Sequence, residues 1–543
     1  MTTRQRTHVC ILEAANPHPI VTEQKRLAKR IKKLYRRINR LKTRHNELAF
    51  ISRLPPELLT RIFSILQSNT REEYGQGYYK WAVVTQVTRP WRRLALGTKH
   101  LWNIVSHTTK TPQSPWVAVS LERSQPLSVD VVVDFDLTGE HLSFLNTIAQ
   151  HNHRMRTTRV NITGWSTEKF RKLQHLLSWL EVEAPLLTIL KLTGTDATFE
   201  PNITHFRFFN SLAPCLQSIH LTGINLYLHA LPFRNITSLI LLYPPGHQGV
   251  LSLSVLFDIL RTTRLQTLKL QYALSWRDDD PELANPTPIP IPSVSILFLD
   301  LPPHQCTTLL SHLVVPPSCS VFIWGCFLPN PGNVQVPTTQ AFFDTTLAYF
   351  SSDPTEFIAL DITIQETVVT FGLRRQQDFQ GGAWTDSISL EIGFAYPRTA
   401  TGESLSFPSL SPFSNMWAVL LSGSPRDPAD TAISELISTV STLPALAEVA
   451  LSTDAVAGFS NHLHNNSGSF GSVVLLVICI NSMEENPVPP LRELERVLTK
   501  YKEIRSDRIA VRLEVVLGWT EKNQLPELFN RLRGLCDLAI LEF

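Results

Sequence analysis

A six-residue apolar pattern, L-x-x-L-x-L, recurs five times between residues 187 and 299 of this 543-residue chain. It stands as Leu187, Leu190, Leu192; Leu216, Ile219, Leu221; Ile236, Leu239, Leu241; Leu265, Leu268, Leu270; and Val294, Leu297, Leu299. Successive starts lie 29, 20, 29 and 29 residues apart. A unit of that length reads as one strand with a return helix or irregular segment, and it cannot bury its apolar face alone. Neighbouring units must therefore stack into one continuous core. An immunoglobulin-like sandwich or a propeller fits less well, because regular helices between strands suit neither.

The alternation extends to both sides. Pro126 to Phe135 alternates like a strand, a helix is expected near His141 to Ala149, a strand at Arg159 to Thr163 and a helix at Lys169 to Leu180. Beyond Leu299 the period loosens. Further short strands are expected around Phe322 and Trp324, Phe357 to Ile362, Ile388 and Leu390, Leu446 to Leu451, Val473 to Ile480 and Val511 to Leu517. Helices are expected at Phe342 to Phe350, Ala432 to Thr442, Leu491 to Ile504 and Pro526 to Leu535. Loops rich in Pro, Gly, Ser and Asn, at Ala284 to Pro292, Pro329 to Pro337, Pro397 to Ser414, Ser422 to Asp430 and Asn461 to Gly471, are candidates for target contacts. The intervals and the L-x-x-L-x-L form resemble degenerate leucine-rich repeats, without a maintained asparagine after the strand. The stretch PLSVDVVV and Ala184 to Gly194 also resemble the repeat region of fungal F-box proteins.

The segment Phe50 to Val105 reads differently, as a short helical module. Leu54, Pro55, Pro56 and Glu57 form a helix start: Pro56 has a φ suited to the first turn, and Glu57 favours the positive end of the helix dipole. A helix is expected to about Gln67. In it Leu58, Leu59, Ile62, Phe63, Ile65 and Leu66 cover an arc of roughly 160°, wider than one core contact needs. Pro90 requires a helix to start or kink just before Trp91.

These residues resemble the F-box, whose opening pattern L-P-x-E-L-L-x-x-I-F, then an apolar residue three positions on, stands here as Leu54 to Phe63 and Leu66. Trp81, Val84 and Val87, then Trp91, Arg92, Arg93, Leu94 and Ala95, then Leu101 and Trp102, match the second half as it runs in fungal F-box proteins. Ser68 to Lys80 is a longer insert than the family usually carries. The resemblance implies a small all-α domain that docks on the Skp-type adaptor of a cullin ubiquitin ligase. It implies contacts from Leu54, Pro55, Pro56, Glu57, Leu58, Leu59, Ile62, Phe63, Leu66, Val84, Val87, Trp91, Leu94, Leu101 and Trp102.

Charge is concentrated in front of this module. The formal net charge is +3, yet eleven of the twenty residues from Lys25 to Arg44 are Lys or Arg and none is acidic, which leaves −8 on the rest of the chain. Leu27, Ile31, Leu34, Ile38, Leu41, His45 and Leu48 follow 4,3 heptad spacing, with isoleucine at a and leucine at d. Arg30, Arg37 and Arg44 at g and Lys42 at e oppose a parallel homodimer. Three readings stay open at residues 25–44: a solvated helix leaning on the F-box, pairing with an acidic helix of another protein, or nuclear import or contact with an anionic surface, including nucleic acid.

Composition narrows the classes further. A hydrophobic content of 43% excludes general disorder, and seven cysteines in no paired spacing argue for a reducing compartment. The amino terminus lacks a secretory h-region, and the longest apolar run, Val473 to Ile480, is far below the roughly 18–20 residues that span a bilayer. The expected compartment is cytoplasmic and/or nuclear, with no membrane partner. There is no GxxxxGK[ST] loop, no GxGxxG after a strand, no HExxH and no GxSxG. Cys306, Cys319 and Cys326 with His304 and His312 lack the short paired spacing of a structural zinc site. No catalytic residue, metal or cofactor is expected.

The expected fold class is α/β. Residues 1–23 form a flexible tail, 24–49 the basic heptad helix, 50–107 the F-box and 108–543 a leucine-rich-repeat-like α/β solenoid. The expected function is non-enzymatic: a substrate-receptor subunit of an SCF-type ligase, with an adaptor, through it a cullin, and an unknown target protein as partners. The alternative is a non-ligase scaffold or nucleic-acid-associated protein working through the basic helix.

Overall fold

A computed structural model gives the chain as two compact units, Met1–Val132 and Val133–Phe543. It describes residues 19–542 apart, chiefly, from 74–79, 108–115, 137–142, 164–177, 195–208, 225–234, 245–250, 276–286, 327–338, 351–356, 396–409, 425–430, 463–472, 481–491, 503–509 and 516–524. The expected helix at Lys169 to Leu180 and the loops at Pro329 to Pro337, Pro397 to Ser414 and Asn461 to Gly471 lie largely outside the described residues.

The first unit opens with α1 (Pro19–Leu48), a single 30-residue helix. It begins five residues before the expected boundary, so residues 19–23 are helical rather than tail. A 3₁₀ turn at Phe50–Arg53 leads to α2 (Pro56–Glu73). The amides of Leu58 and Leu59 both donate to the Pro55 carbonyl, at 3.1 and 3.2 Å, which closes the first turn behind the two prolines. The helix passes the expected end at Gln67, because nothing from Ser68 to Glu73 is a Gly or Pro that would stop it.

After a 3₁₀ turn at Lys80–Val83 come α3 (Val84–Val87) and α4 (Arg89–Gly97). Pro90 is accommodated because the helix starts there: its missing N–H falls in the first turn, and Thr88 caps the end by accepting the Trp91 amide at 3.2 Å. A further 3₁₀ turn at Lys99–Trp102 leads to β1 (Ile104–His107), then α5 (Trp116–Arg123) and β2 (Val129–Asp136).

The core of the module is Leu59, Phe63, Trp81, Ala82, Val84, Ala95, Leu101 and Trp102. Its aromatics meet edge to face or tilted, Trp81 on Trp102 at 5.2 Å and Phe63 on Trp91 at 5.3 Å. Two buried polar groups are satisfied on the backbone: Trp102 Nε1 donates to Ala95 O and Gln67 Nε2 to Leu101 O, both at 2.9 Å. Residues after β1 pack on this core. Trp116 of α5 stacks on Trp102 at 6.0 Å, and Arg123 lies over the same indole while Nη1 donates to Leu96 O at 3.3 Å.

The second unit is built on one long, mostly parallel sheet. Its strands are β3 (Met155–Thr163), β4 (Ile189–Gly194), β5 (Ser218–Thr222), β6 (Ser238–Leu242), β7 (Thr267–Gln271), β8 (Ile296–Leu301) and β9 (Ser320–Cys326). They continue as β10 (Phe357–Gln365), β11 (Val368–Arg375), β12 (Leu390–Ala395), β13 (Ala418–Ser424), β14 (Glu448–Ser452), β15 (Leu475–Ile480), β16 (Ala510–Val515) and β17 (Asp537–Glu542). From β3 to β9 each strand pairs in parallel with the next in sequence. The order then becomes β9, β12, β11, β10, β13, with β11 antiparallel to both neighbours, and sequential parallel pairing resumes from β13 to β17. Helices between strands include α6 (Ser143–Ala149), α7 (Leu253–Thr262), α8 (Pro303–His312), α9 (Thr339–Phe350), α10 (Thr431–Ser441) and α11 (Leu525–Leu535). The chain is thus α/β, and no described helix is long and apolar enough to cross a membrane.

Register explains the leucine pattern. Leu190, Ile219, Leu239, Leu268 and Leu297 pair in one cross-strand row, and Leu192, Leu221, Leu241, Leu270 and Leu299 in the next. All ten are buried, as are the leading residues Leu187, Leu216, Ile236, Leu265 and Val294. Burying a leucine side chain stabilises by about 1.5–3 kcal/mol, so these rows contribute strongly to the unit's cohesion. Just before each strand one carbonyl accepts two successive amides of the next unit: Thr188 O from Gln217 and Ser218, Gln217 O from Thr237 and Ser238, Thr237 O from Gln266 and Thr267. Gly223 ends β5 with φ +62°, and a Cβ there would lie 2.7 Å from the Gly194 carbonyl oxygen, so no side chain fits where these coils approach.

Candidate protein-interaction surfaces

The F-box-like module divides its predicted contact residues between core and surface. Leu59, Phe63, Val84, Leu101 and Trp102 are buried, with Phe63 fully inaccessible. They hold the module together, because α2 turns that edge of its apolar arc onto Trp91, Trp81 and Trp102. Leu54, Ile62, Trp91 and Leu94 are half-buried against the same core. Pro55, Pro56, Glu57, Leu58, Leu66 and Val87 face solvent. Leu58 is 48% exposed. Ile65 and Val83 join this exposed set, at 52% and 58%. Ile65 was legible as the other edge of the arc; Val83 carries no motif signal.

In α1 the heptad positions Leu27, Ile31, Leu34, Ile38, Leu41 and Leu48 are all exposed, between 45% and 65%. Asn46 Nδ2 reaches Val87 O at 3.4 Å, a contact near the carboxyl-terminal end. The apolar stripe is therefore open to solvent along the helix, and the contact with the module is polar.

The second surface is the face of the sheet opposite the leucine rows. Arg159, Lys191, His220, Ile240, Lys269, Phe298, Phe322 and Glu391 are successive register partners from β3 to β12. The next row is Asn161, Thr193, Thr222, Leu242, Gln271, Asp300, Trp324 and Gly393. The expected strand at Phe322 and Trp324 is present, but these aromatics lie on this open face while Val321 and Ile323 fill the core.

The face is electrostatically divided. At the β3–β7 end it is basic, and burial together with Lys191 and Lys269 pushes the His220 imidazole down to about 4, so it is neutral at pH 7. Its Nε2 lies 3.0 Å from Thr222 Oγ1. At the β8–β12 end two carboxyls are held above their usual range, mainly by burial. Asp300 is pushed up to about 6 although Gln271 Nε2 donates to it at 2.8 Å. Glu391 is raised although Trp324 Nε1 donates to Oε1 at 2.8 Å. The Trp324 indole lies over Gly393, where a Cβ would stand 2.8 Å from the ring, and tilts against Phe298 at 5.7 Å. On the strands beyond Glu391, Arg374 Nε donates to Asp361 Oδ2 at 2.9 Å.

Asp300 gives a pH prediction. A carboxyl whose folded value is raised is favoured in its protonated form by folding, so its contribution is fully present below about pH 4 and is lost as pH rises through about 6. Asp300→Asn is expected to stabilise the protein at pH 7.5 by up to about 3 kcal/mol and to leave it unchanged at pH 4. Urea melts of parent and variant at the two pH values check this; an equal difference at both would contradict it.

Cys306, Cys319 and His312 are buried in the packing of the sheet unit. Cys306 is buried, with Sγ 3.6 Å from Leu301 O and its thiol pushed far up by burial; burial also pushes Cys319 up to about 11. His312 stacks on Phe257 at 5.2 Å. Among the described residues no three His, Cys, Asp or Glu side chains cluster in a way that could hold a metal ion. No protein-family model matches the chain and no curated protein matches it.

Proposed function

We propose that the chain is a non-enzymatic substrate receptor of an SCF-type ubiquitin ligase. The F-box-like module docks on a Skp-type adaptor, and the sheet unit, a leucine-rich-repeat-like solenoid, holds a target protein. The observation that carries this reading is the split of α2. The motif residues Leu59 and Phe63 close the module's own core, while Leu58, Ile65 and Leu66 remain as an exposed apolar edge beside the helix start at Pro55 and Pro56. Such an edge costs hydration free energy unless a partner covers it. The sheet supports the second half, since its leucine rows are spent on cohesion and its opposite face carries mixed, partly exposed side chains suited to recognition. Held together with adaptor and cullin, a bound target gains effective concentration at the ubiquitin-transfer machinery. The protein would act in the cytoplasm and/or nucleus.

The test is copurification of the full chain from cells followed by identification of the bound proteins. Adaptor and cullin subunits are expected in stoichiometric amounts, and their absence would sink the ligase reading. A second reading is favoured by α1, whose exposed heptad stripe is flanked by basic residues: a scaffold that binds an acidic helix or nucleic acid through residues 25–44. Binding that weakens steeply with salt and disappears on deletion of Lys25 to Arg44 would support it.

A further inference from the structure

The basic end of the sheet's open face combines three features. Register places Arg159, Lys191, His220, Ile240 and Lys269 on five adjacent strands, a span of about 19 Å at ~4.8 Å per strand. Like charges in a cross-strand row repel, and among the described residues Arg159, Lys191 and Lys269 form no ion pair that would offset this. The Nε of Arg159 is buried without a hydrogen-bond partner. Between the cations, Ile240 and Leu242 give an aliphatic patch.

We propose that this row holds an acidic, extended segment of the target polypeptide, with carboxylates over Lys191 and Lys269 and an apolar side chain over Ile240 and Leu242. Charge complementarity selects the acid, and the aliphatic patch between the cations selects a peptide. A nucleic acid would need stacking partners among the cations. The aromatics Phe298, Phe322 and Trp324 instead lie at the other end, beside the carboxyls of Asp300 and Glu391, where a phosphate backbone would be repelled. The inference rests on the target-holding reading of the sheet and is independent of adaptor docking.

The probes are fluorescein-labelled peptides about eight residues long, enough to cross the row at ~3.3 Å per residue, alternating Glu with Leu, Gln with Leu or Lys with Leu, and an oligothymidylate of similar length. Anisotropy with the full chain should show binding of the Glu-Leu peptide above the Gln-Leu peptide. The double variant Lys191→Glu, Lys269→Glu should weaken that binding about tenfold or more and turn preference toward the Lys-Leu peptide. If the reversed charges impair folding, the neutral pair Lys191→Gln, Lys269→Gln should still weaken it. Equal binding of Glu-Leu and Gln-Leu peptides, indifference to both double variants, or tighter binding of the oligothymidylate would overturn the inference. Adaptor copurification with no such peptide preference would sink this inference alone; peptide preference without adaptor would sink the ligase reading alone.

Discussion

Changing Leu58 and Ile65 together to Asp is expected to reduce copurification of the Skp-type adaptor by about 100-fold or more while the protein's thermal melt stays where it was. Both side chains are about half exposed, so neither supports the fold strongly, but a charge on that edge would be desolvated in an apolar contact where a few residues dominate affinity. Phe63→Ala is the contrasting control. It empties the centre of the module, against Trp91, and should destabilise by about 3–5 kcal/mol, losing the adaptor through unfolding. Adaptor binding that survives Leu58→Asp with Ile65→Asp would refute docking by this edge.

The second large effect lies in the sheet. Leu268→Ala is expected to cost about 2–5 kcal/mol in urea unfolding, because its row neighbours Leu239 and Leu297 are equally buried and cannot collapse into the space. Lys269→Ala, one residue on and facing the other way, should change stability by no more than about 0.5 kcal/mol. Comparable losses from the two would mean that the faces are assigned wrongly.

Much of this was legible because a leucine in a repeat does one thing. All five triplets read from the sequence are buried, and the residue between the last two leucines of each, Lys191, His220, Ile240, Lys269 and Phe298, could have been read as the opposite face. The signal faded after Leu299 for a topological reason. Val368–Arg375 turns back as an antiparallel strand, which the sequence reading did not anticipate, and strand order departs from chain order around it. The inward spacing itself persists in Met416, Val419, Leu421 and again in Val473 and Leu476. In the module, one amphipathic arc could not reveal which edge faced inward. That depended on Trp81 and Trp102, contributed from far along the chain. The same holds for the unit's end, since Trp116 declares its allegiance only by stacking on Trp102.

The reversed order β9, β12, β11, β10, β13 has a consequence for how the chain emerges from the ribosome. Strands β4 to β9 can each zip onto a partner already made, but the far edge of β9 waits for β12, beyond residues 327–389. At about 5–20 residues per second, that edge, with Phe322 and Trp324 on it, stays open for several seconds. An uncovered parallel edge bearing aromatics is an invitation to mispair. Synthesis of the clasp formed by β10, β11 and β12 is thus the interval through which that edge has no strand to pair with.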